Sequence, residues 1–144
     1  MKTHLSLGTH DLSASVDFYR SLLGCEPTKH YPDYALFLTD SPGLELALAL
    51  DRQAKVSSDH YGIAVDTPEL VETATQRLRK AALPVDIEIG ETCCYAVQNK
   101  VWATDPDGRR WETYYVIAET EKSEGAGVTC CRDSNTESTP CCAP

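Results

Sequence analysis

DHYGIAVDTPEL (residues 59–70) repeats the pattern of THLSLGTHDL (residues 3–12). In each copy a histidine, His4 or His60, opens a short run in which hydrophobic side chains alternate with polar or small ones. This alternation is typical of a half-buried strand. An acid-led helix start follows each run. The repeat therefore indicates a duplicated unit that carries one histidine at the same place in each copy.

Each repeated strand leads into a predicted helix. Asp11 predicts the cap of a helix over residues 12–23, which Gly24 would end in the left-handed conformation. Thr67-Pro68-Glu69 predicts the start of a second helix, with a capping hydroxyl and a proline in its first turn. The apolar stripe of this second helix is predicted to comprise Leu70, Ala74 and Leu78.

Short strands complete each half. They are predicted near residues 26–31, 34–39 and 44–50, and again near residues 85–91, 95–98, 101–104 and 110–117. We therefore predict an α+β fold of paired βαβββ modules that form a cupped mixed sheet around a metal site. The predicted boundaries are residues 1–53 for the first module, 54–58 for a linker and 59–117 for the second module. Residues 118–144 are polar and Cys-rich, and are predicted to be a disordered tail.

Composition excludes several classes of partner. The chain has 144 residues and a formal net charge of −9, so it lacks the basic surface that nucleic-acid binding requires. No apolar run approaches the length of a membrane-spanning helix, and the N-terminal residues do not resemble a signal peptide. We expect a cytoplasmic protein, without a membrane partner, in which the seven cysteines stay reduced.

The paired histidines predict a metal site. His4 and His60 share their strand faces with small residues, so two such faces could close into a cup. A lone strand histidine is more often structural, but two at equivalent positions favour a shared metal. Glu112 is the best candidate for a third ligand, although it could instead be a surface residue paired with Arg109 or Arg110. Two histidines and one carboxylate suit Fe(II) and O2 chemistry, and would also bind Mn, Co, Ni or Zn.

Glu45 is the counterpart of Glu112 in the first half by face parity. As a fourth ligand it would leave less room for O2 and substrate, and would favour proton-transfer chemistry. His10 and His30 have no partner in the repeat, so we interpret them as surface residues or as neighbours of the ligands.

Adjacent cysteines form a second distinctive pattern. Cys93 and Cys94 cannot close a disulfide without strain, but two thiols side by side suit a thiophilic atom. The alternative is a pair of small buried residues. Cys25 is interpreted as a core residue. Two further pairs in the tail are interpreted as scavengers of a thiophilic metal or metalloid: Cys130, Cys131, Cys141 and Cys142.

Together these residues resemble a known family. The paired modules, the histidine on each first strand and DPDGRRWETYY (residues 105–115) resemble the vicinal oxygen chelate superfamily, which includes glyoxalase I, fosfomycin-resistance proteins and extradiol dioxygenases. Residues 4–48, together with the Cys93-Cys94 pair, are more closely similar to the bacterial arsenic–carbon lyase group called ArsI and its cadmium-induced relatives.

The resemblance implies a non-haem Fe(II) enzyme, similar to extradiol dioxygenases, that uses O2 to cleave the carbon–arsenic bond of trivalent organoarsenicals. Methylarsenite and trivalent aromatic arsenicals would be substrates, and arsenite would be released, which detoxifies arsenic. Fe(II) would be held by His4, His60 and Glu112, while Cys93 and Cys94 would bind the arsenic. Residues 93–100 would form a closing loop, and two tyrosines would shape the pocket: Tyr95 and Tyr114.

Two other functions stay open from the sequence. The protein could sequester cadmium or arsenic without turnover, since it carries many thiols. It could also catalyse isomerisation or thiol transfer to an epoxide antibiotic on the same scaffold, although neither reaction explains the adjacent thiols. A monomer and a homodimer are both compatible with the sequence.

Overall fold

The computed structural model describes residues 3–56, 60–93 and 96–120, and it contains two βαβββ modules. The first module comprises β1 (Thr3–Thr9), α1 (Leu12–Leu23), β2 (Lys29–Tyr31), β3 (Tyr34–Thr39) and β4 (Leu44–Leu50). The second comprises β5 (His60–Ala64), α2 (Pro68–Lys80), β6 (Asp86–Cys93), β7 (Ala96–Thr104) and β8 (Arg110–Glu119). The predicted α+β fold of paired modules is confirmed.

Each module forms its own four-stranded mixed sheet. The strand orders are β1-β4-β3-β2 and β5-β8-β7-β6. The first and last strands of a module are parallel neighbours, whereas the remaining neighbours are antiparallel. The identical order supports the duplication. Because the first and last strands of a module are neighbours, residues at the start of a module lie beside residues at its end.

The local sequence sets both ends of α1 and the start of α2. The Asp11 side chain accepts a hydrogen bond from the Ala14 amide at 3.0 Å, and Gly24 ends α1 with φ of 69°. The prediction that Thr67 caps α2 through its hydroxyl is wrong, because its side chain makes no capping hydrogen bond. Pro68 is still the first residue of α2. Proline is tolerated at this position because the amide hydrogen that it lacks would have no partner within the helix.

A single apolar core joins the two modules. In α1 the buried side chains include Val16 and Tyr19, while Trp111 of β8 packs edge-on against Tyr19 with ring centroids 5.7 Å apart. The predicted stripe of α2 is partly wrong: Leu70 is 45% exposed, and Val71 is buried instead. The core therefore fixes how the second sheet sits against the first helix.

The turn before β8 is anchored to the first module by buried polar groups. The Tyr19 hydroxyl donates to the Asp105 carboxylate at 2.7 Å, and Arg109 donates both to that carboxylate and to the Gly8 carbonyl. Burial and the negative charge of Asp105 raise the pKa of Tyr19 well above its usual value, so this hydroxyl stays protonated. His10 lies 2.6 Å from Asp107 through its Nδ1 atom. This network fixes the start of β8, the strand that carries Glu112.

Some predicted strands have different limits in the structure. The two short strands predicted at residues 95–98 and 101–104 are one strand, β7, because the side chains of Ala96, Gln98 and Lys100 are buried in alternation. The last strand extends to Glu119, so Ala118 and Glu119 belong to β8 rather than to a disordered tail. Residues 121–144 lie outside the described part of the chain. Among the described helices, neither is long and apolar enough to span a membrane.

Candidate metal centre

His60 and Glu112 lie side by side in the second sheet. β5 and β8 are parallel neighbours, and Gly62 of β5 is paired with Glu112 of β8. His60 is two residues before Gly62 and therefore shares its face of the strand. The His60 Nε2 atom lies 3.7 Å from Glu112 Oε1. The His60 side chain is 37% exposed, whereas that of Glu112 is only 12% exposed.

Gly62 keeps space open next to this pair. A Cβ atom added there would lie 3.2 Å from Glu112 Oε1 and 3.1 Å from the ring of Tyr114. Both distances are shorter than ordinary van der Waals contact. The absence of a side chain at residue 62 is therefore what lets the Glu112 carboxylate and Tyr114 occupy this face of the sheet.

Lys100 is a buried cation beside Glu112 that the sequence did not predict. Its side chain is 2% exposed, and its Nζ atom lies 3.2 Å from Glu112 Oε2 and 3.9 Å from Glu88 Oε2. Trp102 lies beneath it, with Nζ 5.5 Å from the ring centroid, and also packs edge-on against His60 at 5.2 Å. If residues 98–100 had been predicted as part of a strand, the alternation of side chains would have placed Lys100 on the same face as Trp102.

The donor set of the second module fits a divalent cation. Glu112 Oε2 is buried and makes no hydrogen bond with the described residues, since Lys100 is close enough for an ion pair but not aligned to donate. The ammonium group of Lys100 compensates the charge at this buried oxygen, whereas Oε1 faces His60 Nε2. An imidazole nitrogen and a carboxylate at this separation are ligands that first-row divalent metals accept.

The first module presents a similar but more exposed pair. His4 and Glu45 are register partners on β1 and β4, and the His4 Nδ1 atom lies 3.4 Å from Glu45 Oε1. Their side chains are 58% and 42% exposed. The structure thus places Glu45 at the position that face parity predicted, next to the first histidine.

The structure does not bring His4 to the other two predicted ligands. Within residues 3–56, 60–93 and 96–120, no group of three or more His, Cys, Asp or Glu residues is placed to hold one metal ion. One chain therefore offers two separate histidine–carboxylate pairs instead of the predicted set of His4, His60 and Glu112.

The predicted thiol site lies mostly outside the described residues. Cys93 ends β6 and its backbone is paired with that of Ala96, but Cys94 and Tyr95 are not described, nor are the tail cysteines. The predicted closing loop over residues 93–100 is wrong for residues 96–100, because these lie within β7 and pair with both β6 and β8. Cys25 is partly buried against the core, and burial raises the pKa of its thiol.

Known proteins share both the sequence and the fold. Residues 3–113 match the Glyoxalase/Bleomycin resistance protein/Dioxygenase superfamily. The chain is 40% identical to the trivalent organoarsenical cleaving enzyme of Bacillus sp. (strain MD1), over 98% of this chain and 89% of that protein. It is 38% identical to the cadmium-induced protein CadI of Mycobacterium tuberculosis (strain ATCC 25618 / H37Rv), over 98% of this chain and 92% of that protein.

The fold is also found in a solved structure. A glyoxalase/bleomycin resistance protein/dioxygenase from Alicyclobacillus acidocaldarius superposes with a TM-score of 0.65 at 22% identity, over 82% of this chain and 92% of that one. At this level of identity the likeness concerns the fold alone. It supports the arrangement of two βαβββ modules independently of the closer sequence relatives.

Proposed function

The chain belongs to the Glyoxalase/Bleomycin resistance protein/Dioxygenase superfamily, and we propose that it cleaves the carbon–arsenic bond of trivalent organoarsenicals. Methylarsenite and trivalent aromatic arsenicals are the proposed substrates, with O2 as co-substrate. The products are arsenite and an organic fragment that is oxidised by O2. A relative named for cleavage of trivalent organoarsenicals is 40% identical over nearly the whole chain, which supports a role in arsenic detoxification.

The observation that carries the metal assignment is the buried Glu112 carboxylate, whose Oε1 atom lies 3.7 Å from His60 Nε2. We propose that these two residues, together with His4, hold Fe(II). When bound, Fe(II) supplies one-electron chemistry with O2. The same ligands also accept other first-row divalent metals, so Ni, Co, Mn or Zn could replace it.

His4 is proposed to reach the other two ligands from a second copy of the chain. One chain gathers no three-ligand cluster among its described residues, yet the side chains of His4 and His60 are both more than one third exposed. If the β1 face of one copy covered the β8 face of another, each copy would supply the ligand that the other lacks. A homodimer of this kind would contain two equivalent sites.

Cys93 and Cys94 are proposed to bind the arsenic atom. Trivalent arsenic is thiophilic, and two adjacent thiols hold it by two bonds. The backbone of Cys93 ends β6 in the sheet that carries His60 and Glu112. By register it lies in the row of Glu119, seven residues along β8 from Glu112, so the reaction requires the bound arsenic to be brought to the metal ligands. The reducing cytoplasm that we propose as the location keeps both thiols reduced.

The direct test starts with the protein loaded with Fe(II) under anaerobic conditions. A trivalent methylarsenical is then added with and without air, and arsenic species are followed by chromatography with mass detection. Arsenite that forms only with O2 supports the proposal. Loss of this product in a Cys93→Ser, Cys94→Ser double variant, but not in a Cys25→Ser control, is the expected result. Unchanged turnover in the double variant would contradict the role of the adjacent thiols.

Sequestration without turnover is the second candidate. It is favoured by the seven cysteines of the chain, and one relative is named as cadmium-induced. The cysteine pairs at residues 130–131 and 141–142 would then bind metal or metalloid directly. Cadmium titration of the whole chain and of a chain ending at Thr120, which keeps β8 intact, tests this candidate. A large loss of binding capacity on truncation, with no arsenite formed, would favour sequestration.

A further inference from the structure

The two oxygens of the Glu112 carboxylate face different groups. Oε1 lies 3.7 Å from His60 Nε2 and faces Gly62, where an added Cβ would lie 3.2 Å from it. Oε2 is buried and lies 3.2 Å from Lys100 Nζ. The carboxylate is thus divided between an accessible side with the histidine and a closed side with a cation.

Lys100 is held where it is by its surroundings. A lysine that is only 2% exposed is stable when ion-paired, and Lys100 lies between two carboxylates, those of Glu88 and Glu112. Glu88 and Lys100 are register partners on β6 and β7, and Trp102 supports the ammonium group from below. These contacts restrict the ammonium group to the Oε2 side of Glu112.

We infer that Lys100 is a positioning residue that occupies Glu112 Oε2 and leaves Oε1 alone to bind the metal. This inference rests on the metal site of the proposed function. A carboxylate that binds through one oxygen uses one coordination position of the metal, whereas a carboxylate that binds through both uses two. Lys100 therefore preserves a position for substrate or O2, and orients Glu112 as residues next to metal ligands commonly do.

Infrared difference spectroscopy on Zn(II) binding tests this inference without measuring activity. The splitting between the antisymmetric and symmetric carboxylate stretches is wide when one oxygen binds a metal and narrow when both do. Protein with 13C in the glutamate side-chain carboxyl groups identifies the glutamate bands, and a Glu112→Gln variant identifies those of Glu112. The wild type is expected to show the wide splitting.

A Lys100→Met variant keeps the length and apolar stem of the side chain but removes the charge. Its Glu112 carboxylate is expected to shift to the narrow splitting on Zn(II) binding, whereas Lys100→Arg, which keeps a cation, is expected to retain the wide one. A purely structural role for Lys100 would leave the splitting unchanged. A wide splitting in Lys100→Met would therefore overturn the inference.

The wild-type spectrum tests the inference even if Lys100→Met does not fold, because a narrow splitting in the wild type would also overturn it. The experiment separates this inference from the proposed function as well. If the bands of Glu112 do not shift when Zn(II) binds to the wild type, Glu112 is not a ligand and the proposed metal site fails. If binding depends on Glu112 but the splitting does not depend on Lys100, only the inference about Lys100 fails.

Discussion

Replacing Tyr19 by phenylalanine should destabilise the whole chain, because this hydroxyl links the two modules. The side chain is fully buried and donates to Asp105 at 2.7 Å, while Trp111 Nε1 donates to the same hydroxyl at 3.2 Å. Removal of the oxygen therefore breaks one hydrogen bond to a charged group and leaves the indole N–H of Trp111 without its acceptor. Asp105 would keep its hydrogen bonds from Arg109.

The size of the effect follows from these two losses. A hydrogen bond to a charged group contributes about 1.5–3 kcal/mol, and a buried donor left unpaired costs about 1–3 kcal/mol. The two contributions are not simply additive, because the value for a lost hydrogen bond already includes part of the cost of leaving a partner unpaired. Phenylalanine is also easier to bury than tyrosine. We therefore expect the free energy of unfolding to fall by about 2–4 kcal/mol. For a domain of this size the melting temperature would fall by roughly 8–20 °C.

Equilibrium unfolding in urea, followed by tryptophan fluorescence, measures this change. The midpoint should fall while the slope of the free energy against urea stays the same, since the buried surface is unchanged. Tyr31→Phe is the matched control, because Tyr31 is 56% exposed, and its effect should stay within about 0.5 kcal/mol. If Tyr19→Phe shifts the midpoint no more than Tyr31→Phe does, the link through Asp105 contributes nothing to stability and the reasoning is refuted.

Three further changes test the site and its support. Gly62→Ala should weaken Zn(II) binding with little loss of stability, because the added Cβ displaces Glu112 Oε1 by a few tenths of an ångström. Calorimetry measures the binding, and an unchanged affinity would contradict the role of Gly62 in keeping this space for Glu112. His4→Ala and Glu112→Ala variants, each inactive alone, should regain activity when unfolded together and refolded, since a mixed dimer has one site with all three ligands; no recovery would contradict the shared site. Burial raises the pKa of Asp107, but hydrogen bonds from Thr9 and His10 lower it more, so its folded value lies below that of the unfolded chain. Asp107 therefore stabilises the fold above its unfolded pKa of 3.8 and loses this contribution as pH falls through the lowered folded value. Asp107→Asn should accordingly lose less stability than the wild type between about pH 5 and about pH 2 in urea unfolding, and an equal loss in both proteins would argue against this linkage.

The sequence predicted those parts of the fold that depend on local patterns. The alternation after His4 and His60 marks each first strand, because side chains of a strand point to opposite faces in turn. Asp11 and Gly24 mark the ends of α1 because caps act within one turn of the helix. Glu112 and Glu45 were found by the same face counting. The structure places each of them beside a histidine in the neighbouring strand.

Features that depend on tertiary packing could not be predicted in this way. Residues 98–100, the run QNK, are polar, and polar runs usually lie in loops. In the structure they belong to a strand, because they pair with strands on both sides and because the Lys100 ammonium group is buried beside the carboxylates of Glu88 and Glu112. Leu70 is exposed although it fits the helical stripe, because the sheet contacts α2 one residue further round, at Val71. The separation of His4 from His60 likewise has no local signal, since it depends on which faces of the two modules pack together.

The differences between the two histidine–carboxylate pairs indicate different roles for Glu45 and Glu112. In the first module Glu45 is paired with Leu38 of the neighbouring strand, whereas in the second module Glu112 is paired with Trp102. The next position on that face carries Leu36 in the first module and Lys100 in the second, so only Glu112 has a buried cation to fix it.

Glu45 instead faces the Nδ1 atom of His4 at 3.4 Å, so Nε2 is the ring nitrogen that this contact does not use. A metal-binding histidine commonly donates its other ring N–H to a carboxylate, which orients the ring and makes it a stronger ligand. This arrangement favours Glu45 as the group that orients His4, rather than as a fourth ligand. It therefore supports a site with three protein ligands and open positions, which the proposed reaction with O2 needs, over a four-ligand site suited to proton transfer.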